Sequence, residues 1–145
     1  MLCFLRSRCL NLVKRKKFWK CRSKSKWNLI SIPVIIEKQK FKNIFRKADK
    51  LYFFDTKQYT NETYIENGKG YWINMPEDLQ ISIYGHPLSK LNLDSELDLT
   101  HGWHLIGSLF APCTLTSYSE NCIEAIFKYE DTYKLSTILN PGYGY

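Results

Sequence analysis

At 145 residues the chain can bury one compact core, or two small halves that share one. Aromatics make up 15% of it, with ten Tyr and four Trp. Together with many Ile, Leu and Thr they favour strands over helices, because flat and β-branched side chains pack well on a pleated surface, and an all-β fold is expected. The net charge of +7 suggests a polyanionic partner, but residues 1–26 hold ten Lys or Arg and no acid, whereas residues 27–145 hold eleven bases against fourteen acids. The body is therefore mildly acidic and the basicity belongs to an N-terminal segment. No run approaches the roughly 18 apolar residues of a membrane-spanning helix.

Met1 to Val13 is fairly apolar, yet Arg6, Arg8 and Asn11 interrupt it, and the basic cluster follows the apolar part where a secretory leader has it first. The segment is not read as a signal peptide. Residues 1–26 are read as a basic, disordered arm, with Phe18 and Trp19 set among the lysines. Nucleic acid could be bound through residues 6–26, since basic residues with interleaved aromatics contact phosphates and stack on bases.

The body begins at Trp27-Asn28-Leu29-Ile30-Ser31-Ile32-Pro33-Val34, apolar on both parities as in a strand buried on both faces. Phe41, Ile44 and Phe45 fall at helical spacing and predict a short helix over 41–47. Leu51 to Asp55 reads as a strand that turns at Thr56-Lys57-Gln58 into Tyr59. Asn67-Gly68-Lys69-Gly70 is a tight turn before Tyr71-Trp72-Ile73-Asn74-Met75. Leu79, Ile81 and Ile83 alternate with polar partners, as do Leu91, Leu93, Leu97 and Leu99, predicting two linking strands within 77–101.

A second copy of the first pattern then begins. Trp103-His104-Leu105-Ile106-Gly107 repeats Trp27 to Ser31 at an offset of 76 residues, and Phe127 to Glu130 answers Tyr52 to Asp55 at 75. Tyr133 matches Tyr59, and Gly144-Tyr145 matches Gly70-Tyr71, each at 74. Order and spacing are kept over four blocks, the signature of an internal repeat. Repeat one is assigned to 27–76 and repeat two to 102–145. The second is read as cut short, because the Trp and Ile that follow Tyr71 have no counterpart after Tyr145.

Trp27 to Val34, Leu51 to Asp55, Gly68 to Ile73 and Gly102 to Gly107 resemble a tandem module of large secreted and cell-surface proteins of bacteria and archaea, marked by Trp-Asn-Leu-Ile-Ser and Gly-Lys-Gly-Tyr-Trp strands. The resemblance covers residues 27–145 and departs from the pattern at Tyr143. It implies a β-rich, non-catalytic accessory domain beside adhesive, carbohydrate-active or immunoglobulin-like domains, at the cell surface or outside the cell.

No catalytic constellation is legible, and neither a cofactor nor a metal is expected. His101 and His104 are three apart at the entry to a strand, where such side chains face opposite ways. Asp94, Glu96 and Asp98 share one strand face but lack a calcium-loop pattern. Gly68-Lys69-Gly70 lacks the rest of a phosphate loop. Five cysteines cannot form a complete disulfide set within one chain. Cys113 and Cys122 could form a bridge in an exported protein or remain as two buried thiols.

The expectation is thus a duplicated β-sandwich or barrel-like domain of roughly ten short strands, with one short helix per repeat, the second over 119–125. Trp27, Leu29, Ile30, Trp103, Leu105 and Ile106 are the expected core. Tyr71, Trp72, Tyr84, Tyr143 and Tyr145 either fill the core or form a platform for sugar rings or a partner surface. The functions to be weighed are a structural or adhesive module, a carbohydrate-binding module using exposed Tyr and Trp, and a nucleic-acid binder.

Overall fold

The computed structural model describes residues 3–6, 15–92, 101–117 and 123–145. They form thirteen strands and one short helix, α1 (Phe41–Ile44). The largest sheet has four strands, β3 (Lys26–Ile30), β8 (Tyr71–Met75), β5 (Lys50–Phe54) and β6 (Tyr59–Asn61), in that order. A ribbon pairs β2 (Lys17–Ser23) with β9 (Leu79–Gly85). A second ribbon joins β4 (Gln39–Lys40) to β7 (Tyr64–Ile65), and a hairpin joins β12 (Phe127–Glu130) to β13 (Thr132–Leu135). A three-stranded sheet sets β1 (Cys3–Arg6) between β10 (Lys90–Asn92) and β11 (Leu115–Ser117). Every strand pairing described is antiparallel, and none of these sheets closes on itself.

The stretch expected to be a disordered arm therefore contains two strands. In β2, Trp19, Cys21 and Ser23 point inward and alternate with outward Phe18, Lys20 and Arg22. Opposite them β9 presents Ile83, Ile81 and Leu79. A period of two, not the density of charge, decides the structure here, because Lys20 and Arg22 occupy the solvent face while Trp19, Cys21 and Ser23 turn inward. The helix expected over 41–47 is a single turn. Residues 123–126 run without regular structure into β12, and the rest of the second expected helix lies outside the described residues. Only Leu91 and Asn92 of the expected strand over 91–99 are described, in β10. The strand expected at Trp103–Gly107 is reduced to an isolated bridge at Ile106.

Two apolar clusters divide the interior. The first gathers Trp19, Ile30, Ile32, Val34, Phe45, Leu51, Ile65, Tyr71, Ile73, Met75 and their neighbours. The second gathers Leu88, Leu91, Ile106, Leu109, Cys113, Leu139 and Tyr145. Between them two glycine turns trade backbone hydrogen bonds with the segments of the opposite cluster. Ser31 N donates to Gly142 O at 2.9 Å and Gly107 N to Gly68 O at 2.8 Å, while Gly144 N donates to Leu29 O and Gly70 N to Leu105 O, both at 3.2 Å. Bridges run from Ile30 to Tyr143 and from Lys69 to Ile106. Each bond on one side thus has a counterpart on the other, displaced by 76 residues in one segment and 74 in the turn. Gly68 and Gly142 occupy the same left-handed conformation, at φ 87 and φ 85.

A buried pair of hydroxyls completes this seam. Ser31 Oγ donates its one proton to Tyr143 O at 2.8 Å and accepts from Ser108 N at 3.0 Å. The 2.9 Å contact between the two hydroxyls therefore takes its proton from Ser108, whose oxygen accepts from Gly142 N at 2.9 Å. Asn67 secures the irregular stretch after β3. Its amide nitrogen donates to Ile32 O and Val34 O at 2.8 and 2.7 Å, and its carbonyl accepts from Ile36 N at 2.9 Å.

The seam leaves no room for a side chain at Gly70, where a β-carbon would stand 2.7 Å from Ile106 O. Since the obstruction is backbone and cannot rotate away, Gly70→Ala is expected to destabilise the protein by about 1–3 kcal/mol. Ser82→Ala, on the outer face of β9, should stay within about 0.5 kcal/mol. Urea denaturation of the two variants checks this; equal midpoints would show that the seam is not closely packed.

Candidate functional site

Register on the four-stranded sheet sorts its residues into two faces. Ile30, Tyr71, Ile73, Met75 and Leu51 face the first apolar cluster. Trp27, Leu29, Trp72, Asn74 and Tyr52 face the other way. On that outer side Leu29 is buried beneath the Gly142–Tyr145 turn, where a β-carbon on Gly144 would stand 2.9 Å from Leu29 Cγ. Two residues earlier Trp27 lies beyond that cover and stays 42% exposed, leaning on Tyr52 at 5.8 Å between ring centres.

The expectation that Trp27 and Trp103 fill the core is thereby corrected. Trp103 is 67% exposed and leans on Phe127, also at 5.8 Å. Both indoles sit on the face opposite to the buried alternation, or past its end, so each covers one neighbouring ring. Leu29, Ile30 and Ile106 are buried, and Leu105 is half-buried.

Across the outer face lies the β12–β13 hairpin. It brings Tyr129 within 4.7 Å of Trp72 at an interplanar angle of 73°, and Tyr133 within 6.3 Å at 86°. Trp27, Tyr52, Tyr59, Trp72, Tyr129 and Tyr133 line a cleft of about 460 Å³, within the size range of small-molecule sites. Burial, and then the adjacent Tyr59 hydroxyl, raises the Tyr133 phenol above its ordinary range. At the sheet end of the cleft the β5–β6 hairpin turns through Thr56 at φ 78, held by Asp55 Oδ1, which accepts from Lys57 N and Gln58 N at 3.0 and 2.9 Å. Those two backbone donors lower the Asp55 pKa.

Of the five aromatics expected either to fill the core or to form a platform, Trp72 alone lines this cleft. Tyr71 and Tyr145 are buried in the two apolar clusters. Their hydroxyls accept from backbone nitrogens five residues back, Glu66 N at 3.3 Å and Asn140 N at 2.6 Å. Tyr143 is exposed on the seam, and Tyr84 is exposed on β9. Tyr52, Tyr59, Tyr129 and Tyr133 were not singled out as binding residues from the sequence. The signal that could have found them is the match of Tyr133 to Tyr59 between the similar sequence blocks.

A second surface lies on the β2–β9 ribbon. Phe18 and Tyr84 stack at 4.7 Å with a tilt of 38°, both exposed, and Lys16 Nζ lies 5.8 Å from the Tyr84 ring centre. Lys20 and Arg22 follow Phe18 on the same face.

Among the described residues no three His, Cys, Asp or Glu side chains gather as metal ligands would. No helix among them is long and apolar enough to cross a membrane. Asp94, Glu96 and Asp98 lie outside the described residues, as does Cys122, the expected partner of Cys113. Cys113 is buried, and burial raises its thiol pKa. Burial also pushes the Cys21 thiol up to about 11, so at neutral pH it stays protonated and weakly nucleophilic. Comparison with known protein families, curated proteins and solved structures found no match.

Burial raises the Tyr71 phenol well above its ordinary value of 10.0, outweighing the opposing contact with Glu66 N, and it raises Tyr145 in the same direction. The folded state therefore holds these protons more tightly than the unfolded chain does. The associated stability is complete below pH 10.0 and is lost as the pH rises above it. Alkaline unfolding is expected to set in above that pH. Tyr71→Phe should flatten the decline at a cost of about 1 kcal/mol near neutrality, measured by urea titrations across the range. An unchanged slope would contradict the buried phenol.

Proposed function

We propose that the chain is a non-catalytic accessory module of an exported or cell-surface protein, made of two copies of one β unit and acting by contact. The observation that carries this reading is the reciprocal seam, in which the segments at residues 29–31 and 105–107 receive equivalent hydrogen bonds from equivalent glycine turns. Supporting it, Trp27–Tyr52 and Trp103–Phe127 share a ring distance of 5.8 Å and tilts of 52° and 53°. Ile65 and Leu139, displaced by 74 residues, are both fully buried. A barrel-like or sandwich packing of the two units about a pseudo-twofold axis is part of the proposal. Export rests on the resemblance of residues 27–145 to modules of surface proteins. The cleft suits a contact role, since its lining offers aromatic faces and hydroxyls.

Antibody labelling of intact source cells tests the location. Labelling without permeabilisation is expected, and labelling only after permeabilisation would contradict export.

The stacked Phe18–Tyr84 pair beside Lys16, Lys20 and Arg22 favours a second reading, binding of single-stranded nucleic acid. It shifts the basic partner site from a loose arm to one face of a ribbon. Fluorescence anisotropy with a labelled dT oligonucleotide should then show binding that weakens steeply with salt and falls at least fivefold in Phe18→Ala. Binding indifferent to that substitution and to salt would remove this reading.

A further inference from the structure

We infer that the aromatic cleft between the four-stranded sheet and the β12–β13 hairpin binds one ring of a neutral oligosaccharide. This rests on the reading of the chain as a non-catalytic accessory module and adds the place and chemical class of its ligand. The lining consists of two indoles and four phenols, with no charged side chain. An anionic ligand entering such a cleft would give up water without meeting a counter-charge, and a cation would meet ring faces but no carboxylate among the lining residues. The hairpin carries Glu130, but its carboxylate accepts from Lys128 Nζ at 3.0 Å and Lys134 Nζ at 3.2 Å and is already neutralised. Those contacts lower the Glu130 pKa, with Lys128 the larger cause, so the group stays paired at neutral pH.

A neutral pyranose has what the lining complements. Its axial C–H faces are apolar and suit the faces of Trp and Tyr, and its hydroxyls can donate to and accept from phenols and accept from indole N–H groups. Ring orientation narrows the ligand further. Trp72 crosses Tyr129 and Tyr133 at 73° and 86°, and those two tyrosines cross each other at 72°. Rings so disposed pack edge to face into one angled side of the cleft, against which a single sugar can seat, whereas a strip for a crystalline polymer needs coplanar faces. The partly exposed Trp27, Tyr59 and Tyr133 leave apolar surface in water that such a ligand would cover.

The test is isothermal titration calorimetry of the intact chain with cellohexaose, chitohexaose, mannohexaose and maltohexaose, and with tetramethylammonium as a cationic probe. At least one hexasaccharide is expected to bind, at least tenfold more weakly to Trp27→Ala and Tyr133→Ala. Binding to Tyr64→Ala, which removes an exposed ring outside the cleft, should stay within twofold. Should the alanine variants fail to fold by circular dichroism, Tyr59→Phe, which keeps the ring and removes one hydroxyl, is expected to lower affinity two- to tenfold. Binding of tetramethylammonium alone, of none of the four sugars, or of a sugar indifferently to all cleft variants would overturn the inference. Mass spectrometry of the recovered sugar separates the two readings. An intact hexamer keeps both, whereas a shortened one would sink the non-catalytic reading and leave the ligand class standing.

Discussion

The architecture depends on backbone meeting backbone at the seam. Four N–H groups, on Ser31, Gly70, Gly107 and Gly144, donate across it at 2.8 to 3.2 Å. At this crossing the segments approach where side chains would stand, with neighbouring atoms 2.7 to 3.0 Å from an added β-carbon, so three of the four donors must carry none. Glycine supplies this at 70, 107 and 144, and at 142 it makes room for Trp19, whose Cζ2 would lie 2.2 Å from a β-carbon there. That contact draws β2 into the fold, so a strand from the basic N-terminal stretch helps cover a turn at the far end of the chain.

From the seam follows the position of the cleft. The Gly142–Tyr145 turn shields Leu29 and stops short of Trp27, and the hairpin that precedes it in the chain reaches over Trp72. Strands β3, β5, β6 and β8 therefore supply the floor of the cleft, and the β12–β13 hairpin supplies two tyrosines of its wall. The aromatic residues of the two faces differ in role by one position along β8. Tyr71 pairs with Ile30 and faces inward, while Trp72 pairs with Leu29 and faces the cleft.

Much of this was legible in the sequence where local pattern and tertiary demand agree. The alternation of Leu79, Ile81 and Ile83 marked the inner face of β9, and the turn at Thr56–Gln58 made the expected hairpin. What could not be read was which face of Trp27–Val34 is buried, because apolar residues occupy both parities and only pairing with β8 decides. The same ambiguity left open which of Tyr71 and Trp72 faces outward. In β2 the inward set Trp19, Cys21 and Ser23 was overshadowed by the lysines between, although its period of two was present in the residues.

Amide hydrogen exchange of the intact chain, resolved by residue, tests the seam most directly. The account predicts that the amides of Ser31, Gly70, Gly107 and Gly144 exchange only through global unfolding and share the slowest rates in the protein. Exchange at those four positions as fast as at the exposed Gly102, with the inner strands still protected, would contradict it.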